Sequence, residues 1–110
     1  MAETFKANHV ALTTSNQDIV PAVAASTQTI VLTLRATNVD GTNDATVDVQ
    51  VVDTGGSPTA YIAKTITVPA NSTLELAGTS KLVLETGDKI QALASAASDI
   101  EIFVSYLEIT

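Results

Sequence analysis

The stretch Asp99–Ile109 has apolar residues at alternate positions on both of its faces. One set of alternate positions holds Ile100, Ile102, Val104 and Tyr106, and the other holds Glu101, Phe103, Ser105, Leu107 and Ile109. A strand that is apolar on both faces is usually covered on both faces. We therefore predict a strand whose first face packs into the core. Its second face, through Phe103, Leu107 and Ile109, is predicted to meet another chain.

Composition and charge exclude several classes of partner. The chain has 110 residues, 12 acidic and 5 basic side chains, a net charge of -7 and no cysteine. Nucleic acids and anionic membranes both need a basic surface, so we expect neither as a partner. No apolar run approaches the ~20 residues that span a bilayer. The first residues lack the pattern of a signal peptide, which predicts a protein made and used without export.

Turn residues separate short segments rich in Val, Ile and Thr, which suit the pleated surface of a sheet. We predict an all-β fold, an antiparallel and jelly-roll-like β-sandwich of about eight to nine short strands. It forms a single domain over residues 1–110, in which residues 1–8 are interpreted as a flexible arm. The predicted strands are His9–Thr13, Gln17–Val20, Thr27–Val39, Ala45–Asp53, Tyr61–Val68, Thr73–Leu76, Lys81–Leu84, Ile90–Ala94 and the C-terminal stretch.

The long segment Thr27–Val39 is expected to alternate strictly between two faces. That places Ile30, Leu32, Leu34 and Ala36 on one face and Val31, Thr33, Arg35 and Thr37 on the other. The turn sequence Asp40–Asp44 follows, so this strand and Ala45–Asp53 are expected to pair as a hairpin.

Three short motifs suggest chemistry, and a turn is preferred for each. The sequence Asp-Thr-Gly at 53–55 resembles the catalytic loop of retroviral-type aspartic proteases, in which two carboxylates share a proton. That family also needs an apolar pair followed by Gly late in the chain, and the late glycine here, Gly87, lies in the turn Glu85–Asp88 instead. Asp40–Asp44 offers oxygen ligands for Ca²⁺ without the spacing of an EF-hand loop. Asn71–Thr73 fits the N-glycosylation pattern but suits a turn.

Two single residues have simple structural interpretations. His9, the one histidine, has no nucleophile or co-ligand near it in sequence, and we interpret it as an edge-strand residue. Arg35, the one arginine, lies within an apolar strand, where it is expected to pair with an acidic residue such as Asp48 or to contact another subunit. We predict no enzymatic activity, no cofactor and no metal site.

Recurring turn-and-strand patterns occupy Ile66–Leu74, Lys81–Ile90 and Ile102–Ile109, with a further fit in Phe5–Thr14 and Thr37–Gly41. These segments resemble small structural proteins of tailed bacteriophages. Their shared patterns are turns and strands, such as Val-Pro-Ala-Asn-Ser-Thr-Leu and Leu-Glu-Thr-Gly-Asp-Lys-Ile. The resemblance spans most of the chain and implies a β-sandwich that binds the virion surface or its neck and tail.

The resemblance implies a non-enzymatic virion protein, assembled in the host cytoplasm. The leading expectation is a capsid decoration or cement protein that stabilises the particle through subunit contacts. The alternatives are a neck or tail connector, a fibre-associated protein, or a carbohydrate- or host-binding module. Expected partners are the major capsid protein, or portal, neck and tail proteins, together with further copies of the chain in a homo-oligomer. The interface candidates are Phe103, Leu107, Ile109 and Arg35.

Overall fold

The computed structural model describes residues 2–53, 59–77 and 81–110. In it, the chain folds into two antiparallel sheets. The described residues contain nine strands. They are β1 (Glu3–Ala11), β2 (Gln17–Val20), β3 (Gln28–Asn38), β4 (Ala45–Asp53), β5 (Thr59–Val68), β6 (Thr73–Glu75), β7 (Leu82–Leu84), β8 (Asp88–Ala94) and β9 (Ile100–Ile109). The predicted all-β sandwich is confirmed.

Consecutive strands repeatedly cross from one sheet to the other. The first sheet, here sheet I, has the order β1-β9-β3-β6, and β7 also pairs with β3. The second, sheet II, has the order β2-β8-β4-β5. This alternation between two packed sheets is the jelly-roll arrangement. It makes β9 an interior strand of sheet I, paired with β1 on one side and with β3 on the other.

Aliphatic side chains fill the space between the sheets. The largest fully buried ones include Leu12, Ile19, Leu34, Ile90, Ile100 and Ile102. On β9 the predicted core face is confirmed, because Ile100, Ile102, Val104 and Tyr106 are all buried. Leucine, isoleucine and valine side chains each contribute about 1.5–3 kcal/mol when fully buried, so this layer accounts for much of the favourable free energy of folding.

The strict alternation predicted for β3 is wrong in its first half. The register of β3 against β9 shifts between Val31 and Thr33, which marks a β-bulge. Val31 is therefore buried, whereas Ile30 and Leu32 are only partly buried. A bulge adds one residue to the strand, so the side chains on either side of it exchange faces relative to a regular strand. After the bulge, Leu34 and the residues beyond it follow the predicted alternation.

Two other expectations are corrected. The strands β3 and β4 are not hairpin partners, because β3 lies in sheet I and β4 pairs with β5 and β8 in sheet II. The link 39–44 therefore crosses between sheets. Residues 3–8 are not an arm, because they belong to β1, whose register with β9 runs unbroken from Glu3 opposite Ile109 to Ala11 opposite Glu101. The length of β9 allows the whole of β1 to pair.

One buried polar side chain, that of Asn38, stabilises the link 39–44 between the two sheets by hydrogen bonds. Asn38 is fully buried and donates from Nδ2 to the carbonyls of Val68, at 2.9 Å, and Asn43, at 3.0 Å. Its Oδ1 accepts from the backbone N–H of Asp40 at 2.9 Å. Each of these groups would otherwise be buried or partly buried without a partner, which is costly. Asn38 thus holds the end of β3 to the start of β4 and the end of β5.

Candidate interaction surface

An apolar row crosses sheet I on the face turned away from sheet II. It consists of Phe5 on β1, Leu107 on β9, Ile30 on β3 and Val83 on β7, each directly opposite the next in the strand register. Phe5 is 74% exposed and Val83 is 60% exposed, so no element in the described part of the chain packs over the two ends of the row. We call the face of sheet I that carries this row the outer face.

Strand geometry explains why these four side chains meet. Residues directly opposite one another on paired strands project to the same side of a sheet, with their Cβ atoms about 4.5–5.5 Å apart. Ile30 takes its place in the row because the bulge after Val31 leaves it on the outer face. The row is therefore a product of the bulge as well as of the alternation in β9.

A second row on the outer face mixes apolar and charged side chains. It runs from His9 through Phe103 and Arg35 to Glu75, on β1, β9, β3 and β6. Phe103 is 44% exposed. Arg35 donates from Nε to Glu75 Oε2 at 3.0 Å, and Glu75 Oε1 accepts from the backbone N–H of Leu34 at 3.2 Å. The suggested partner Asp48 is thus wrong for Arg35, since Asp48 lies in sheet II and contacts Lys64 at 3.8 Å.

The four predicted interface residues all lie on the outer face, in different settings. Phe103 and Arg35 are direct neighbours, and Leu107 lies in the apolar row. Ile109 lies at the end of β9 between Glu3 and Gln28, in the position on the outer face next to that of Leu107. It lines an open cavity of about 360 Å³ with Ser26, Thr27, Gln28, Thr86 and Thr110. Their role in an interface remains a prediction.

The sequence did not predict that Phe5, Val83 and Ile30 lie on the outer face. Phe5 was assigned to the supposed arm, although Phe5, Ala7 and His9 alternate with Lys6 and Asn8 in a pattern that fits a strand. Val83 lies between two leucines, so that periodicity alone does not reveal its exposure. Ile30 is predicted to share a face with Leu34 and Ala36, because nothing in the sequence marks the bulge that separates them.

The opposite face of the same strands carries an ion pair. Lys6 Nζ lies 2.9 Å from Glu108 Oε1, and the resulting hydrogen bond raises the pKa of Lys6 above its ordinary value. Burial is the main cause that raises the pKa of the Tyr106 hydroxyl, with a further contribution from the charge of Glu108. Both groups keep the protonated form at neutral pH, so they contribute contacts between β1 and β9 without a group that titrates near neutrality.

The turn interpretation holds for Asp40–Asp44. The Asp40 carboxylate accepts hydrogen bonds from the backbone N–H groups of Thr42, at 2.8 Å, and Asn43, at 3.2 Å. These bonds hold the pKa of Asp40 below its ordinary value. The described residues contain no group of three or more His, Asp or Glu side chains placed to hold a metal ion.

The other singled-out residues lie at separate places in the described part of the chain. His9 is exposed on β1 opposite Phe103. Asp53 ends β4, and residues 54–58, which include the rest of the Asp-Thr-Gly sequence and the predicted turn, lie outside the described residues. Asn71 is an exposed turn residue with a φ of 60°. No helix in the described part of the chain is long and apolar enough to cross a membrane.

Comparison with known proteins supports the fold. No protein-family model matches the chain, and no curated protein matches it in sequence. Among solved structures, the chain is similar to the protein of Bacillus endospore appendages, which are described as disulfide-linked pili. The TM-score is 0.57 at 15% identity, over 99% of this chain and 87% of that one.

Two further solved structures are similar. The Drosophila NLP core, described in terms of pentamer formation and histone binding, has a TM-score of 0.54 at 12% identity, over 99% of this chain and 98% of that one. A pentameric capsid protein from metagenomic phage sequences has a TM-score of 0.46 at 16% identity. The chain matches that capsid protein over 91% of its own length and 59% of the other, and a likeness this weak carries no argument. At these identities the comparisons define the class of the chain as a β-sandwich.

Proposed function

We propose that the chain is a non-enzymatic structural protein of a tailed-phage virion that decorates the capsid and stabilises the particle through subunit contacts. The observation that carries this proposal is the outer face of sheet I. There the apolar row and Phe103 form a surface on which Phe5, Val83 and Phe103 are exposed. In the assembled particle this face lies against another virion protein, with the major capsid protein as the leading partner.

The chemistry of the outer face suits a protein contact. Aromatic side chains contribute a large part of the binding energy at protein interfaces when they enter a desolvated centre surrounded by polar groups. Phe5 and Phe103 supply the aromatic groups, and the Arg35–Glu75 pair supplies a polar margin. Removing a side chain of this size from water contributes roughly 1.5–3 kcal/mol, and each such contact offsets part of the free energy that association costs.

Two further observations support an assembling protein. Turn-and-strand patterns in the sequence, such as those of Ile66–Leu74 and Lys81–Ile90, resemble those of small structural proteins of tailed phages. The fold is shared with a protein that forms pili and with one whose structure concerns pentamers, so this sandwich is compatible with repeated subunit contacts. Self-association of the chain belongs to the proposed function.

The decisive experiment measures whether the chain is part of particles and in what number. Particles purified from cells that carry the gene are analysed by quantitative mass spectrometry, with the major capsid protein as the internal reference. Copies in fixed proportion to the capsid protein are the expected result. A copy number that corresponds to a single ring per particle instead supports the connector role and contradicts decoration. Absence of the chain from intact particles overturns the virion proposal.

A further inference from the structure

β1 presents an unpaired backbone edge to its surroundings. Ala2 and Thr110 exchange two backbone hydrogen bonds, of 3.3 and 2.9 Å, and Leu12 N–H donates to the Ile100 carbonyl at 2.8 Å. In an antiparallel ladder the residues that bond to a given neighbour alternate. The even-numbered residues of β1 therefore bond to β9. The odd-numbered ones direct their N–H and C=O groups to the other side, where no described strand pairs with β1.

The other edges of the two sheets are protected against pairing. β5 has two register shifts against β4, and its Thr65 has a positive φ of 50°, which is rare for a β-branched residue. β2 has four residues and a register shift, and β6 and β7 have three residues each. Short strands and bulges are devices by which natural sheets avoid unwanted edge contacts.

β1 lacks these devices along its whole length. It has nine residues and no register shift against β9. Its one lysine, Lys6, projects to the inner face, where Glu108 at 2.9 Å balances its charge. Although the chain has a net charge of -7, β1 contains one acidic residue, Glu3, and one lysine. Repulsion between copies is consequently weak at this edge.

We propose that two copies of the chain join through their β1 edges, antiparallel, about a two-fold axis at Ala7. This inference deepens the self-association that the proposed function includes. In this register Ala7 lies opposite Ala7 of the second copy, Phe5 opposite His9, and Glu3 opposite Ala11. All five odd-numbered residues of β1 then form backbone hydrogen bonds across the axis. The product is one continuous sheet built from two copies of sheet I.

Charge and the length of the paired segment together favour this register over its neighbours. With the axis at Ala7, Glu3 faces Ala11 and Lys6 faces Asn8, so no like charges are opposite each other. Moving the axis to residue 6 places Lys6 opposite Lys6 of the second copy, which is destabilising. Moving it to residue 8 shortens the paired segment. The register at Ala7 uses the full strand without a like-charge contact.

The same register extends the outer face. Phe5 meets His9 of the second copy, and His9 lies opposite Phe103 within its own chain. The apolar row of one copy therefore continues into the row that contains Phe103 in the other. Phe5, which is 74% exposed in the single chain, gains a side-chain neighbour on its open side. A second copy thus fits both the backbone edge and the side chains next to it.

The test compares Ala7→Pro with Ala7→Ser by sedimentation velocity over a range of concentrations. Proline removes the N–H that points away from β9, and an edge strand tolerates it there. Serine keeps that N–H. Wild type and Ala7→Ser are expected to form dimers. Ala7→Pro is expected to lose two hydrogen bonds at the axis and to dimerise at least about ten-fold more weakly. Its melting transition should match that of the wild type at concentrations where both are monomeric.

Equal dimerisation of Ala7→Pro and wild type, or a wild type that stays monomeric at every concentration, overturns the inference. Hydrogen exchange of the wild type provides a second measurement if Ala7→Pro does not fold. The amides of Phe5, Ala7 and His9 should gain protection as the concentration rises, while those of Lys6 and Asn8 are protected throughout. Equal protection at all concentrations contradicts the edge contact.

Phe103→Ser should keep the dimer yet lose particle binding, which separates this inference from the proposed function.

Discussion

Phe5 and Leu107 lie directly opposite each other on β1 and β9, on the face of sheet I that is turned away from the core. Because the even-numbered residues of β1 make the hydrogen bonds to β9, these two form a non-hydrogen-bonded pair, in which side chains approach more closely. Phe5 nevertheless remains largely exposed. The pair therefore forms part of an exposed apolar surface, and the proposed role of the chain depends on what binds to that surface.

Replacing Asn38 by alanine should lower the free energy of unfolding by about 1–3 kcal/mol, because the buried Val68 carbonyl loses its donor. The measurement is chemical denaturation monitored by circular dichroism. Asn43→Ala is a matched control in the same loop, since the Asn43 side chain is exposed and makes one long hydrogen bond of 3.4 Å. If Asn38→Ala lowers the free energy of unfolding no more than Asn43→Ala does, the Asn38 hydrogen bonds do not stabilise the link between the sheets.

Asp40→Asn should reduce the stability of the turn in a pH-dependent way. The native pKa of Asp40 lies below its ordinary value of 3.8, because its carboxylate accepts backbone hydrogen bonds. The native state thus binds fewer protons than the unfolded state in this range. The contribution of Asp40 is then complete above the unfolded pKa and is lost as the pH falls through the native pKa.

The measurement is the difference in unfolding free energy between wild type and Asp40→Asn, from about pH 6 to about pH 2. We expect a constant difference above pH 3.8, the ordinary value, that shrinks below it. A difference that stays constant over the whole range means that the hydrogen bonds to the carboxylate do not stabilise the fold.

Tyr106→Phe should flatten the loss of stability at alkaline pH. Burial raises the native pKa of Tyr106 above its ordinary value of 10.0. The neutral hydroxyl therefore contributes fully below pH 10.0, and the contribution is lost as the pH rises through the native pKa. Above that pH the unfolding free energy of the wild type should fall more steeply with pH than that of the variant. Parallel alkaline profiles contradict this account.

Arg35→Ala should leave the fold nearly unchanged. The Arg35 side chain is 58% exposed, and exposed ion pairs contribute about 0–1 kcal/mol. Glu75→Ala should cost more, because Glu75 also accepts from the Leu34 backbone N–H. Thermal unfolding of the two variants checks the order. If Arg35→Ala is the more destabilising of the two, Arg35 has a structural role that the Glu75 contact does not describe.

The sequence predicted those parts of the fold in which a regular pattern coincides with a regular strand. The bounds of Gln17–Val20 and Ala45–Asp53 match β2 and β4, because turn residues flank both and period-two alternation runs through the second. The core face of β9 was predicted for the same reason, as was the position of Phe103 and Leu107 on the opposite face. These features depend on neighbouring residues alone.

The parts that failed depend on distant residues. The bulge that exposes Ile30 arises where β3 must pair with both β7 and β9, and no local signal marks it. β1 became a strand rather than an arm because β9, far along the chain, is long enough to pair with it. The assignment of β3 and β4 to different sheets, and the pairing of Arg35 with Glu75, likewise follow from the three-dimensional arrangement.

In the proposed function, the outer face of sheet I binds a neighbour in the particle. The most direct test is the incorporation of Phe103→Ser and Leu107→Ser into particles, measured beside the melting temperature of each purified variant. Ile66→Ser is the matched control, since Ile66 is an exposed aliphatic residue on β5 of sheet II. We predict that the two outer-face variants stay folded and lose incorporation, while the control is incorporated like wild type. Normal incorporation of both folded outer-face variants, or loss of their melting transition instead, would contradict the account.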